Sequence, residues 1–325
     1  MTTSRSRHLV DPVLGAMLEA MPRVPVNAAT LADVRAGSVV PLPFDFGGGA
    51  ADVSVEELWV PGSVHGSPLF VRYYRPANVT ADLPCVFHIH GGGYVAGAAA
   101  AMEPVHRALV AEVGCALFSV DYRLAPEHPF PAPLCDCYTA LEWLFREAAP
   151  LRVDTTRIGI MGKSAGGGLA AAVALLARDR GERQLAFQLL VYPMLDDRTC
   201  VAADPHPYTG EYVWTADNNH FGWSSLLGAE PGGEGVAAYA APARARELAG
   251  LPPTFISTGA LDLFLEEDME YARRLLRAGV PTELQVYPGA VHGFDLVPVT
   301  DLARRARRDL AAALARFCHA PEGPR

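Results

Sequence analysis

Along most of this chain, short apolar runs alternate with longer stretches of helical period. CVFHIH (85–90), CALFSVDY (115–122), RIGIMG (157–162), AFQLLVYP (186–193), TFISTGA (254–260) and TELQVYP (282–288) are too short for helices and read as strands. Between them, EPVHRALVAEVG (103–114), CDCYTALEWLFREA (135–148), AGGGLAAAVALLARDR (165–180) and EEDMEYARRLLRAG (266–279) read as helices, and a last helix runs from about 300 to 318. Strands alternating with helices of this length predict an α/β fold with a mostly parallel sheet covered on both faces. Two further strand-like runs, EELWV (56–60) and LFVRYY (69–74), precede the alternation. Residues 12–21 predict a short amphipathic helix with Val13, Leu14, Met17, Leu18 and Met21 on one face, followed by a Pro- and Gly-rich loop through PLPFDFGGGA (41–50). Residues 196–235 break the pattern. They carry Trp214, Phe221, Trp223, several His and Pro, and Gly-rich turns, and they read as an insertion over the sheet edge that caps or walls a pocket.

The strand RIGIMG runs straight into Gly162-Lys163-Ser164-Ala165-Gly166, and a helix begins at once. Gly-x-Ser-x-Gly between strand and helix exposes the serine hydroxyl at a sharp turn, and the glycines at 162 and 166 remove side chains that would clash with the neighbouring strand and helix. The helix N-terminus behind the serine offers free N–H groups and the positive end of a dipole, both suited to a developing oxyanion. Gly162-Lys163-Ser164 also matches the end of a phosphate-binding P-loop. That motif needs a glycine at 157, where the chain has Arg157, so the nucleotide reading falls.

The strand CVFHIH ends in His90-Gly91-Gly92-Gly93-Tyr94. A glycine run there lets bare backbone N–H groups approach a ligand, and lipases and esterases pair such a segment with the N–H after the nucleophile. The expected oxyanion donors are Gly91, Gly92 and Ala165, with His90 a prop for the loop and His88 a strand residue. In this fold the acid and the histidine follow the serine in that order. His206 and His220 lie in the insertion and His319 in the tail, whereas His292 sits just past the strand TELQVYP. Asp262 follows the strand TFISTGA and is flanked by leucines. Its rivals are Glu266, Glu267 and Asp268, which begin a helix where acids suit the dipole, and Asp196 and Asp197 at another strand end. The expected catalytic set is Ser164, Asp262 and His292, cleaving a carboxylic ester through an acyl-enzyme.

Composition narrows the partners. The 325 residues are 50% hydrophobic with a formal net charge of −9, which argues against nucleic acid and anionic membranes and says nothing of a neutral substrate. The six cysteines form no Cys-x-x-Cys pair or zinc-ligand cluster and read as small core residues, which suits a reducing cytoplasm. No apolar run is long enough to span a membrane, and the N-terminus is a poor signal peptide. Arg304, Arg305, Arg307 and Arg308 read as the solvated face of a docked last helix, with a contact between copies of the chain as the alternative.

HGGGY (90–94), DYRLAPEHPFPA (121–132), GKSAGG (162–167), LDLFLEED around Asp262 and VHGF (291–294) together resemble the hormone-sensitive-lipase-like family of bacterial carboxylesterases, within the α/β-hydrolase superfamily. The resemblance covers roughly residues 60 to 317. It implies a small-molecule ester substrate with a short acyl chain, and neither metal nor organic cofactor. It also implies an N-terminal cap, here residues 1–50, over a catalytic domain of 51–325 that carries the cap-like insertion 196–235. The family usually places an acidic or small residue before the serine; here it is Lys163, the only lysine in the chain. Lys163 either selects acidic acyl groups or pairs with a nearby acid or with solvent. The same site could cleave an amide, lactone or thioester, or transfer an acyl group, since specificity lives in the pocket. A binding module that had lost its chemistry, as the similar plant gibberellin receptors have, predicts a damaged triad, and these three residues are intact.

Overall fold

The computed structural model describes residues 4–20, 24–37, 52–64 and 67–319. Eight strands form one sheet: β1 (Val53–Val60), β2 (Leu69–Pro76), β3 (Leu83–Ile89), β4 (Ala116–Val120), β5 (Val153–Lys163), β6 (Gln188–Val191), β7 (Thr254–Gly259) and β8 (Thr282–Tyr287). Their spatial order is β1-β2-β4-β3-β5-β6-β7-β8, antiparallel where β1 meets β2 and β2 meets β4, and parallel throughout the rest. The helices are α1 (Pro12–Ala20), α2 (Leu31–Arg35), α3 (Glu103–Val113), α4 (Ala132–Arg146), α5 (Ala165–Arg180), α6 (Ala216–Leu227), α7 (Leu265–Arg277) and α8 (Asp301–His319).

Every residue of β3, β4, β6 and β7 is buried, as continuous apolar runs inside a doubly covered sheet require. Alternate residues feed two cores. Phe87, Phe118, Ile160 and Ile256 pack on the face covered by α4, α5 and α7; Val86, Leu117, Met161 and Phe255 pack on the face covered by α1, α3 and α8. Each such buried side chain contributes about 1.5–3 kcal/mol. The edge strand β1 shows water one face, where Trp59 is exposed.

The structure adds two helices that periodicity did not reveal. Within the insertion lies α6, capped by the Thr215 side chain on the Asn218 N–H; Trp223, Asn219 and Gly222 are all buried on it, so no clean apolar stripe marks it in sequence. The stretch read as a loop near residue 30 contains the short α2. Of the expected cap, residues 1–3, 21–23 and 38–50 lie outside the described residues, Met21 among them. The described part touches both the catalytic core and the insertion. Asp11 N–H bonds Gly289 O at 3.0 Å, Arg35 donates to Val95 O and Ala125 O at 2.8 and 2.9 Å, and Val26 N–H donates to Asn218 of α6 at 2.9 Å. All six cysteines are free thiols. Among the described residues, no helix is long and apolar enough to cross a membrane.

Candidate active site

In an open parallel sheet the carboxyl ends of the strands all face one crevice. Here β3, β5, β7 and β8 all end at that crevice, with β6 between β5 and β7, and each of the four delivers one part of the expected site.

Ser164 follows the last residue of β5 and precedes the first of α5, with φ 55° and ψ −124°. A non-glycine residue holds such angles only where its surroundings over-determine them. Ser164 N–H bonds Val191 O at 2.9 Å, and Ser164 O accepts from Met194 and Gly168, each at 3.0 Å. There is no room beside the turn: a Cβ on Gly166 would lie 2.1 Å from Ile89 O. The N–H groups of Ala165, Gly166 and Gly167 belong to the first turn of α5, so they have no acceptor within the helix.

After β3, the loop His90–Gly93 lies against this turn. A Cβ on Gly91 would sit 2.8 Å from Lys163 O and 3.5 Å from Ser164 Cβ. Gly92 has φ 121°, which L side chains rarely adopt. His90 stacks on Tyr122 at 4.3 Å and bonds Gly91 O through Nδ1 at 2.8 Å, while Tyr122 donates to His90 O at 3.0 Å. Burial lowers the basicity of His90, so the ring props the loop as a neutral group. His88 in β3 bonds Ser119 Oγ at 2.9 Å.

The loops after β7 and β8 are tied by backbone bonds, Ala260 N–H to Tyr287 O and Leu261 N–H to Ala290 O, both 2.9 Å. That tie brings Asp262 to His292. Nδ1 of His292 lies 2.9 and 3.1 Å from the two Asp262 oxygens, and Nε2 lies 3.0 Å from Ser164 Oγ. All three residues are buried. Asp262 also accepts from Phe264 N–H at 3.0 Å. The rings of Tyr192 and Phe264 meet His292 edge-on at 4.7 and 5.2 Å, and Trp214 lies 6.2 Å away.

The rival acids stand elsewhere. Asp197 is fully buried against Arg244 at 2.6 Å, and Asp196 pairs with Arg198 at 2.6 Å. Glu266 is exposed in the first turn of α7. Glu267 and Asp268 also begin that helix but are buried, so the dipole is not the whole account of them. Glu267 accepts from the N–H groups of Leu195 and Asp196 at 2.6 and 3.2 Å and from the Thr199 hydroxyl.

Two groups went unnoticed in sequence. Asp295 lies three residues after His292 in an apolar stretch, and Tyr192 directly follows β6. Lys163 forms a buried ion pair with Asp295, whose other oxygen accepts from Tyr192 OH at 2.6 Å. Burial alone would push the Asp295 carboxyl up, but the Lys163 charge, the Lys163 and Tyr192 hydrogen bonds and Arg307 hold it below its usual range. Of the two readings of Lys163, the structure shows the pairing with an acid. Arg307 departs from the expected solvated face: it is half-buried, donates to Asp295 O at 2.8 Å and lines the cavity.

A cavity of about 500 Å³ opens on Ser164 and His292. Gly91–Gly93 form one wall, and Val213 and Trp214 of the insertion form another. Its inner part runs between α3 and α8 past Val105, Leu109, Met161 and Leu310. His88 and His106 line it as neutral rings; burial drives His88 well below the imidazole range and His106 to about 3. Trp214 donates to Asn219 at 3.0 Å, which fixes it on α6. Trp223 and Tyr94 pack in the core, and Phe221 packs with Leu31, Val95 and Ala125.

Residues 86–296 match a family model described as an α/β-hydrolase fold. The chain is 36% identical to carboxylesterase NlhH of Mycobacterium tuberculosis, over 96% of its length and 97% of that protein's. It superposes on the solved structure of a bacterial heroin esterase with a TM-score of 0.89 at 37% identity, covering 96% of this chain and 99% of that one. The structure of esterase LipW from Mycobacterium marinum gives a TM-score of 0.84 at 33% identity, covering 97% and 98%.

Proposed function

The chain belongs to the hormone-sensitive-lipase-like carboxylesterases of the α/β-hydrolase fold, and from that premise we propose that Ser164, His292 and Asp262 cleave short-chain acyl esters through an acyl-enzyme. The observation that carries the reading is the unbroken chain of hydrogen bonds from Asp262 through His292 to Ser164 Oγ, ending on a strained serine at a cavity wall.

The steps follow from that geometry. The Asp262 carboxylate keeps the proton on His292 Nδ1, so the Nε2 lone pair accepts the Ser164 proton as Oγ attacks the acyl carbonyl. The oxyanion meets the N–H groups of Ala165, Gly91 and Gly92; loss of one such donor typically costs about 2.7–4 kcal/mol. The imidazolium then protonates the departing alcohol. Water, deprotonated by the same nitrogen, releases the acid and restores Ser164. The substrate is a small ester. The cavity's modest volume and apolar inner walls favour short acyl chains. The N-terminal segment and the 196–235 insertion, held together by Val26 and Asn218, act as its cap. The acidic charge and the free thiols fit a cytoplasmic setting.

Hydrolysis of p-nitrophenyl esters from acetate to long acyl chains tests this directly. The expected optimum lies at short chains, and Ser164→Ala lowers kcat by about 10⁶-fold. Asp262→Asn, which permits the wrong tautomer, lowers it by about 10⁴-fold. A Ser164→Ala protein that still turned over at the parent rate would sink the assignment.

A further inference from the structure

We propose that Lys163 and Asp295 are positioning residues: their buried ion pair, extended through Tyr192, locks the turn carrying Ser164 to the loop carrying His292. The inference rests on Ser164 and His292 being nucleophile and base.

The connectivity is short at every step. Lys163 is the residue before Ser164, and its carbonyl oxygen is the atom against which Gly91 packs. Its ammonium bonds Asp295 in the helical turn Phe294–Leu296, three residues beyond His292. Asp295 in turn receives Tyr192 OH at 2.6 Å, and the Tyr192 ring forms the wall against which His292 stands at 4.7 Å. Tyr192 holds φ 37°, so the network fixes a strained residue in place. Arg307 of α8 donates to the Asp295 backbone oxygen at 2.8 Å and steadies the same turn from outside. The ends of β5 and β6, the loop after β8 and α8 thus meet at one residue, the first two at its carboxylate and α8 at its backbone oxygen. Lys163 and Asp295 side chains are only 14% and 5% exposed, so neither relaxes cheaply into water if its partner leaves. A misplacement of about 1 Å between nucleophile and base is enough to cost about 10²-fold in rate.

The pair also sets the field at His292. Asp262, Ser164 and Tyr192 face the ring directly, with the uncharged Phe264 and Trp214. Behind Tyr192 stand Asp295, Lys163 and Arg307, and behind Asp262 stands Asp268. Across the cavity are His88, His90 and His106, with Glu112 of α3 also lining it. Removing Lys163 makes the charge behind the ring one unit more negative, and removing Asp295 makes it one unit more positive.

The test compares Lys163→Met, Asp295→Asn, the double variant and Lys163→Arg with the parent. A short p-nitrophenyl ester is the substrate, and intact sites are counted by stoichiometric reaction with a p-nitrophenyl organophosphate. Each single removal is expected to lower kcat per counted site by about 10- to 100-fold while KM stays within about twofold. The acidic limb of the rate–pH profile moves to higher pH in Lys163→Met and to lower pH in Asp295→Asn. Lys163→Arg recovers most of the rate, and the double variant is no worse than the poorer single. Rates per counted site equal to the parent, or limbs moving the same way, overturn the proposal and leave the pair a role in folding alone. If the singles do not fold, the double variant and Lys163→Arg still decide, since positioning predicts a slow double and a fast arginine enzyme. Ser164→Ala runs alongside: its residual turnover bears on the nucleophile, independently of the Lys163 result.

Discussion

On one side of the Asp262–His292 contact stands Asp295; on the other stand Glu267 and Asp268, and all three carboxyl groups are buried. Burial pushes each toward the neutral form. Asp295 nevertheless stays charged, because Lys163 touches it and Tyr192 donates to it. Glu267 receives only neutral donors, two backbone N–H groups and a hydroxyl, and burial wins: its carboxyl is pushed well above the usual range. Asp268 fares the same way, through burial first and then the negative charges of Glu267 and Asp262, with the Thr258 hydroxyl pulling back. The difference lies not in the acid but in whether a full opposite charge reaches it. It also makes the two sides respond to pH in opposite senses.

The sharpest way to break the comparison is to remove the cation. Lys163→Met leaves the buried Asp295 carboxylate without its ion-pair partner, and urea unfolding near neutral pH should show a loss of about 3–5 kcal/mol. Lys163→Met with Asp295→Asn removes both charges and keeps an acceptor for Tyr192, so it should lose much less. A single variant costing under about 1 kcal/mol would mean that the pair is effectively solvated.

The α7 side is tested by pH. Asp268 ionises near 3.9 when unfolded and well above that when folded, so between those values the folded state binds more protons and stability falls as pH rises. Within that window the slope approaches about 1.4 kcal/mol per pH unit. Asp268→Asn should flatten it, gaining stability over the parent at higher pH and little near pH 4. Asp295 has the opposite sign: its stabilisation is present above the unfolded value and is lost as pH falls through the depressed folded one. Thermal unfolding across the pH range separates the two, and an Asp268→Asn protein with an unchanged slope would place that acid among the charged groups.

The parts of this molecule that local pattern could reach are those whose environment is uniform along the chain. Strands covered on both faces show as apolar runs, and Ser164 and Asp262 each stand just past one; His292 follows the half-buried edge strand β8, which its length and the Pro-Gly turn after it mark, so all three places at the crevice were legible in the sequence. Lys163 and Asp295 were legible only as individuals. They lie 132 positions apart, and no periodicity singles out Asp295 from the other acids. Glu267 and Asp268 misled because a helix start is an ordinary place for acids; Glu267 is buried where α7 packs on the segment after β6, and Asp268 is buried beside Thr258 of β7 and Asp262. The helix α6 escaped for a related reason. Its contacts are distributed around its circumference, with Trp223 to the core and Asn218 to the N-terminal segment, so no single face repeats at 3.6 residues.

The smallest effect comes from a pair with geometry as good as any inside. Arg35 of α2 grips Glu127 through its two terminal guanidinium nitrogens, each at 2.7 Å, and those hydrogen bonds hold the Glu127 carboxyl down to about 2. Yet the Glu127 side chain is 54% exposed, so water competes for the same charge in both states. Glu127→Gln should therefore cost less than about 1 kcal/mol, and the cost should shrink further at high salt. Lys163→Met should lose nearly as much at high salt as at low, because the Asp295 side chain is only 5% exposed and salt screens buried charges weakly. Arg35→Met should cost more than Glu127→Gln, since it also removes the hydrogen bonds to Val95 O and Ala125 O. Urea unfolding of the three variants at low and high salt gives the comparison. A Glu127→Gln loss as large and as salt-resistant as that of Lys163→Met would show that pairing geometry, not burial, sets the energy of these ion pairs.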